Sequence, residues 1–244
     1  MSKIITLWGS AGSGKSALAC ALAGYLTRNK ETAILLSFDQ TTPMLPVWIP
    51  QNKDTEKSIG GIFDTDMDSI ALANHTVIHP RYPDIGMMGY TKRDTPLSFG
   101  EPEYGKVRYL IEQAAKITDY VIVDCNASLK TTTTPAALEV ADVAVRMLTP
   151  DLRGVSYLTA VKPLLQDEKF RFDQHMVFVN GVHPFHPVDA LQSRFGRIDG
   201  VLPYDKNILR ASLEGGMFEP VVNKKVLSCM MQVEKRVTDG SHLT

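Results

Sequence analysis

Gly9-Ser10-Ala11-Gly12-Ser13-Gly14-Lys15-Ser16 is the stretch on which the reading of this chain turns. It fits the pattern G-x-x-x-x-G-K-[ST] of a phosphate-binding loop. Each constraint has a chemical cause. Glycines let the backbone curl so that successive N–H groups point at phosphate oxygens. A helix that begins at the loop adds unpaired N–H groups and the positive end of its dipole. Lys15 is placed to reach the β- and γ-phosphates as a point charge, and the Ser16 hydroxyl to ligate Mg²⁺. The context agrees. Lys3–Trp8 reads as a buried strand before the loop, and Lys15–Arg28 as a helix after it, with Leu18, Leu22, Tyr25 and Leu26 on one side. The plain alternative is a glycine-rich strand-to-helix turn with a surface lysine, and the flanking pattern weighs against it. The expected cofactors are ATP and Mg²⁺, with Gly9, Ser10, Ala11, Gly12, Ser13, Gly14, Lys15, Ser16 and Ala17 around the phosphates.

Beyond the loop, short apolar runs alternate with helical patterns. Thr32–Phe38, Tyr120–Asp124, Asp142–Leu148, His175–Val179 and Gly200–Leu202 read as strands. Tyr104–Ile117, Gly154–Leu165, a helix capped by Asp205, and Lys224–Val237 read as helices. Strands alternating with helices imply parallel pairing, because each crossover needs a long connection. The strands are nearly continuous apolar runs, as expected when helices cover both faces. The fold class is therefore α/β, a doubly wound, mostly parallel sheet in three layers, read as one domain over residues 1–244. The stretches 41–61 and 79–102 carry prolines and read as irregular loops, of a length that is usually functional or mobile.

Composition narrows the class. Hydrophobic residues make up 44% and charged residues 22%, and 26 basic against 27 acidic residues leave a net charge of -1. That balance gives no broad footprint for nucleic acid or an anionic membrane. The start lacks a secretory signal and no run is long enough to span a bilayer, so a cytoplasmic protein is expected. Cys20, Cys125 and Cys229 are far apart and read as reduced thiols. His183 and His186 are interrupted by Pro184 and Pro187, which reads as a loop and not a metal site.

A second carboxylate should end a buried strand near the loop. Asp124, closing Tyr120-Val121-Ile122-Val123-Asp124, supplies it, and the expected role is on the Mg²⁺ side. The plain alternative is a solvated aspartate where the strand enters a loop. Residue 125 is Cys, where many motor-type ATPases place a water-activating glutamate.

With these residues in hand, the chain resembles the MinD/ParA family of P-loop ATPases. Ile34-Leu35-Leu36-Ser37-Phe38-Asp39 is similar to the family's second strand ending in D-x-D. The resemblance implies that Asp39 orients the hydrolytic water, while Ser37 replaces the first aspartate. Gly200-Val201-Leu202-Pro203-Tyr204-Asp205, with Ile208-Leu209-Arg210-Ala211-Ser212, resembles the family's G-V-[IL]-P…[VI]-L-R-A-S segment. It also implies that Asn180 reads the adenine edge and Pro203 packs on the adenine ring. The family's signature lysine, which crosses a dimer to the partner's phosphates, is Ser10 here. That loss is similar to the TadZ/CpaE branch, whose members localise pilus and secretion machinery and often carry an added receiver-like domain. MinD's basic amphipathic membrane helix has no likeness in the tail after Val237, so no intrinsic membrane anchor is expected.

The resemblance implies a slow ATPase acting as a nucleotide-dependent switch, through a homodimer or a protein partner in a pilus, secretion or conjugation apparatus. Such a partner could recruit it to a membrane or pole. A non-hydrolysing ATP scaffold and a ParA-like DNA-partitioning ATPase remain open, the latter disfavoured by the charge balance. A small-molecule kinase or ligase is the remaining class, and the 200–212 segment points away from it.

Overall fold

Along the strand Lys3–Gly9 (β1), side chains go alternately to two apolar layers. Ile4 and Trp8 join one, Ile5 and Leu7 the other, as a strand covered on both faces requires. Thr6 is fully buried between them, and its hydroxyl donates to the Ala137 carbonyl at 3.0 Å. The computed structural model describes residues 2–50 and 57–240. Part of the stretch 41–61 and the end of the tail lie outside them.

After β1 come α1 (Lys15–Leu26), β2 (Ala33–Ser37), α2 (Leu45–Trp48), α3 (Ser69–His75), β3 (Val77–Ile78), β4 (Ile85–Met88), α4 (Tyr104–Ala114), β5 (Tyr120–Asp124) and α5 (Thr133–Val140). They are followed by β6 (Val143–Leu148), α6 (Leu152–Val161), β7 (Met176–Val182), α7 (Val188–Phe195), β8 (Gly200–Pro203), α8 (Lys206–Glu214) and α9 (Lys224–Asp239). The sheet order is β3-β4-β2-β5-β1-β6-β7-β8, and every pair is parallel except β3–β4. Helices α4 to α7 cover one face, and α1 and α9 the other. This is the expected doubly wound α/β class.

The reading of 79–102 as irregular is corrected. That stretch supplies β4, which extends the sheet beside β2, with β3 outside it. A four-residue strand containing Gly86 gives almost no periodic signal. The glycine has a cause: a Cβ there would sit 2.7 Å from Thr76 Cγ2. In 41–61, Leu45–Trp48 forms a single helical turn that buries Trp48. The closing helix docks on the core as expected, burying Val226, Met230, Val233 and Val237.

The topology fixes where a ligand fits. From β1 the chain crosses beyond β5 to β2, whereas from β5 it crosses β1 to reach β6. Connections thus diverge around β1 and β5, and the crevice at the carboxyl ends of such strands is the usual ligand site. Register sets Asp124 beside both Leu7 and Ser37, so the ends of β5, β1 and β2 meet there.

Candidate functional site

The loop after β1 turns on glycines. Gly9 has φ of 138° and Gly14 of 82°, a region that other residues rarely enter. A Cβ at Gly9 would collide with the Met147 carbonyl, and one at Gly14 with the Asn180 amide. Helix α1 starts at Gly14 with no side-chain cap and no acidic residue in its first turn. Its first N–H groups are left for an anion.

Lys15 folds back over the loop. Its Nζ donates to Ser10 O at 2.9 Å and Gly9 O at 3.2 Å, and the residue is only 8% exposed. Burial lowers its pKa, against the opposing pull of Asp124, Cys125 and Asp39. Lys15, Asp124 and Asp39, from three separate segments, therefore sit within one electrostatic neighbourhood.

Asp124 is 3% exposed. Burial pushes its carboxyl up to about 6; the Ser16 hydroxyl hydrogen-bonded to it and the charge of Lys15 pull it down, and Asp39 pushes it further up. Its Oδ1 is buried and has no hydrogen-bond partner among the described residues. An orphaned carboxylate oxygen beside a serine hydroxyl, facing a phosphate-type loop, is a hard-oxygen donor set of the kind Mg²⁺ takes with substrate phosphates. The residues present therefore fit the expected metal. Among the described residues no group of three or more His, Cys, Asp or Glu forms another candidate metal site. The neighbouring Cys125 is pushed by burial up to about 12, so it is a buried thiol with no basic function.

Asp39 sits half-buried after β2. Its Oδ1 accepts from Thr41 N and Thr42 N, both at 2.9 Å, which pins the following turn. Ser10 is used inside the fold: its N–H donates to Met147 O at 3.0 Å, and its Oγ accepts from Thr149 N at 3.1 Å. Ala11, Gly12 and Ser13 complete the curl, where Ser13 Oγ donates to Ser10 O at 2.7 Å.

Beside the loop lies a largely apolar cavity of about 310 Å³, bounded by α1, β7, β8, α8 and the segment before α9. Ala17, Asn180 and Leu202 line it, whereas Pro203 is not among its lining residues. Asn180 Nδ2 donates to Ser13 O at 2.9 Å, so the amide that faces the cavity is anchored to the loop. Sequence reading missed Asn223. It caps α9 and donates from Nδ2 to Asp205 Oδ2 at 2.7 Å, tying the cap of α9 to the cap of α8 at the cavity rim. The signal was present: an Asn directly before an amphipathic run is an N-cap pattern. Helix α8 buries no residue fully, although Ile208 and Ala211 line the cavity.

No family profile and no curated protein match this chain by sequence. Solved structures do match it in three dimensions. A ParA family ATPase from Chlorobium tepidum is 20% identical, with a TM-score of 0.76 over 100% of both chains. The septum site-determining protein MinD from Pyrococcus horikoshii, complexed with Mg-ADP, is 15% identical, with a TM-score of 0.73 over 100% of both chains. McdA from Cyanothece, as an aspartate-to-alanine variant with ATP, is 12% identical, with a TM-score of 0.73 over 100% of this chain and 98% of the other. At these identities the likeness establishes the fold: this chain has the three-layer α/β/α architecture of the MinD, ParA and McdA proteins.

Proposed function

We propose that this chain is a MinD/ParA-type ATPase that binds ATP with Mg²⁺ and works as a slow nucleotide-dependent switch. One observation carries the reading: the buried carboxyl of Asp124, one oxygen of which has no partner among the described residues, takes a hydrogen bond from the Ser16 hydroxyl beside a glycine loop over which Lys15 folds. Lys15 leaves its contacts with the Ser10 and Gly9 carbonyls for the β- and γ-phosphates of ATP. The first turn of α1 holds the same phosphates through backbone N–H groups. The base enters the cavity beside Asn180. Ser16 and Asp124 would hold Mg²⁺, which when bound would supply positive charge to the phosphate oxygens. Asp39 orients the attacking water, while its Oδ1 keeps the turn in place.

The switch reading draws on the surface around that edge. Leu152, Phe185 and Val222, at 83%, 77% and 91% exposure, follow β6, β7 and α8 near the ends that carry the site. Exposed apolar side chains there suit pairing with a second copy or a protein partner. Among the structural neighbours, MinD from Aquifex aeolicus is known in a MinC:MinD complex. The expected partner class is a pilus, secretion or conjugation assembly, of the TadZ/CpaE kind, since the signature lysine is absent at Ser10. A non-hydrolysing scaffold is the second reading. The inward commitment of Ser10 favours it, because no lysine from that position can reach the phosphates.

The deciding experiment is calorimetric titration of ATP and Mg²⁺ into the protein and into Lys15→Ala, with phosphate release measured on both. The proposal expects binding that Lys15→Ala weakens at least about tenfold, through loss of the loop's side-chain cation. Equal affinities remove the loop as the site. Binding without turnover above the Lys15→Ala background selects the scaffold.

A further inference from the structure

A second feature lies on the opposite edge of the sheet from the phosphate loop. An open groove of about 1090 Å³ runs past the starts of β7 and β8 and the last turns of α6, α7 and α9. Its cations are Arg146, Lys162, Arg194, Arg197, Lys235 and Arg236. Three carboxylates, Asp173, Asp199 and Asp239, share the lining. A two-to-one excess of positive groups stands out in a chain whose basic and acidic residues number 26 and 27.

Cations in the last turn of a helix also complement its dipole, so Lys162, Arg194 and Arg236 alone would prove little. Arg146 is different. It lies within strand β6 and in no helix's last turn, and it is 4% exposed. Its guanidinium stands 3.6 Å from the Phe172 ring centroid and 5.3 Å from that of Trp8. Nη2 donates to Phe172 O at 2.7 Å, yet Nε is buried with no partner among the described residues. Burial lowers its pKa only to about 10, so the charge persists at neutral pH. A buried guanidinium usually meets a carboxylate or phosphate that matches its planar fork. Here the nearby acids are engaged or exposed: Asp199 pairs with Arg197 at 2.8 Å and accepts from Val177 N at 2.9 Å, and Asp173 is exposed. Among the described residues Lys162, Arg194, Lys235 and Arg236 form no ion pair.

We propose that this groove is a docking site for an acidic peptide segment of a protein partner, with the rim cations receiving its carboxylates and the buried charge of Arg146 adding positive potential beneath them. The floor decides between peptide and nucleic acid. Half-buried Phe172, with the edges of the buried Leu158, Met176 and Phe195, gives apolar surface between the cations, which suits a chain alternating carboxylates with apolar side chains. Nucleic-acid surfaces are usually more uniformly basic than a groove with three carboxylates among six cations. The site is independent of the nucleotide reading.

The test is fluorescence anisotropy with a short fluorescein-labelled peptide of alternating Glu and Leu. A Lys–Leu peptide is the control, and an unlabelled single-stranded oligonucleotide of equal charge is the competitor. The Glu–Leu peptide should bind at least about tenfold tighter than its Lys–Leu counterpart, and the affinity should fall as salt rises. The double change Arg194→Glu with Lys235→Glu alters only exposed side chains, and should weaken binding about tenfold with an unchanged melting temperature. Equal binding of the two peptides, or no response to the double charge reversal, overturns the proposal. So does an oligonucleotide that displaces the peptide at lower concentration than unlabelled Glu–Leu peptide, because the groove would then favour nucleic acid.

Discussion

The hydroxyl of Ser10 accepts a 3.1 Å hydrogen bond from the Thr149 backbone N–H, while Thr149 Oγ1 donates to Asp151, the cap of α6. The phosphate loop is thereby tied to the turn after β6. Ser10→Ala would leave a buried N–H unsatisfied, at about 1–3 kcal/mol. Ser10→Lys would do the same and must also find room for a long cation where the serine is 3% exposed. Urea denaturation should show both variants destabilised, the lysine variant more. Phosphate release should not rise in Ser10→Lys; a faster rate would mean that position 10 opens toward a neighbouring active site.

Asp124 is expected to act through the metal. In Asp124→Asn the side chain keeps its shape and its contact with Ser16, but loses the charge facing Mg²⁺. ATP affinity should fall about tenfold or more with Mg²⁺ present, and change little in a chelator. Because burial raises this carboxyl, its removal should leave the unliganded protein as stable as wild type or more so at neutral pH. An equal loss of affinity with and without Mg²⁺ would assign Asp124 to holding the fold.

Asn180 should select the base. With Nδ2 committed to Ser13 O, its Oδ1 is the free end of the amide, an acceptor suited to an exocyclic amino group and opposed to a carbonyl. ATP should therefore outcompete GTP. Asn180→Ala should narrow that preference and lower affinity about tenfold, since it also frees the loop. Tighter GTP binding by wild type would reverse the assignment.

These residues were unequally legible in the sequence. Tyr120–Asp124 is legible residue for residue, because a short apolar run closed by a charge fits a strand covered on both faces. The strand-to-helix turn at Gly9–Ser16 was equally plain, since its glycines answer to backbone geometry that few other sites need. Strand β4 was not legible: its residues are buried through β2 and Thr76, contacts remote in sequence. Ser10 was read as a missing charge, and its bond to Thr149 could not be seen, because it depends on how β6 ends against β1. The Asp205–Asn223 tie failed to appear for the same reason: each cap is a local signal, but their meeting is tertiary.

His175 gives the fold a pH dependence. Trp8 Nε1 donates to His175 Nδ1 at 3.1 Å, so Nε2 carries the proton that is donated to Phe170 O at 2.7 Å. Burial, with Arg146 nearby, depresses the imidazole to about 3 from an ordinary 6.5. The unfolded chain therefore binds the extra proton first. This contribution is complete above about pH 6.5 and is lost as pH falls toward 3. It amounts to at most about 5 kcal/mol. Urea denaturation from neutral to acid pH should show the loss. His175→Gln should lower stability at neutral pH but flatten the slope through this window. An unchanged slope would place the acid sensitivity elsewhere.

Asp39 is where chemistry and turn geometry must be separated. Its Oδ1 accepts from Thr41 N and Thr42 N, while its charge acts on both Lys15 and Asp124. Asp39→Ala would remove the turn contacts and the charge together, and so could not distinguish the two roles. Asp39→Asn keeps an oxygen for both N–H groups and removes only the charge. If the carboxylate orients the attacking water, Asp39→Asn should bind ATP about as well as wild type and hydrolyse it on the order of 100-fold more slowly. ATP-bound protein should then accumulate, which sizing chromatography in ATP and in ADP would register as a persistent complex or pair. Equal loss of turnover in the Asn and Ala variants, with ATP retained, supports the water role. Full turnover in Asp39→Asn with loss in Asp39→Ala would mean that Asp39 serves only to hold the turn after β2, and the group that positions the water must be sought elsewhere along the same edge.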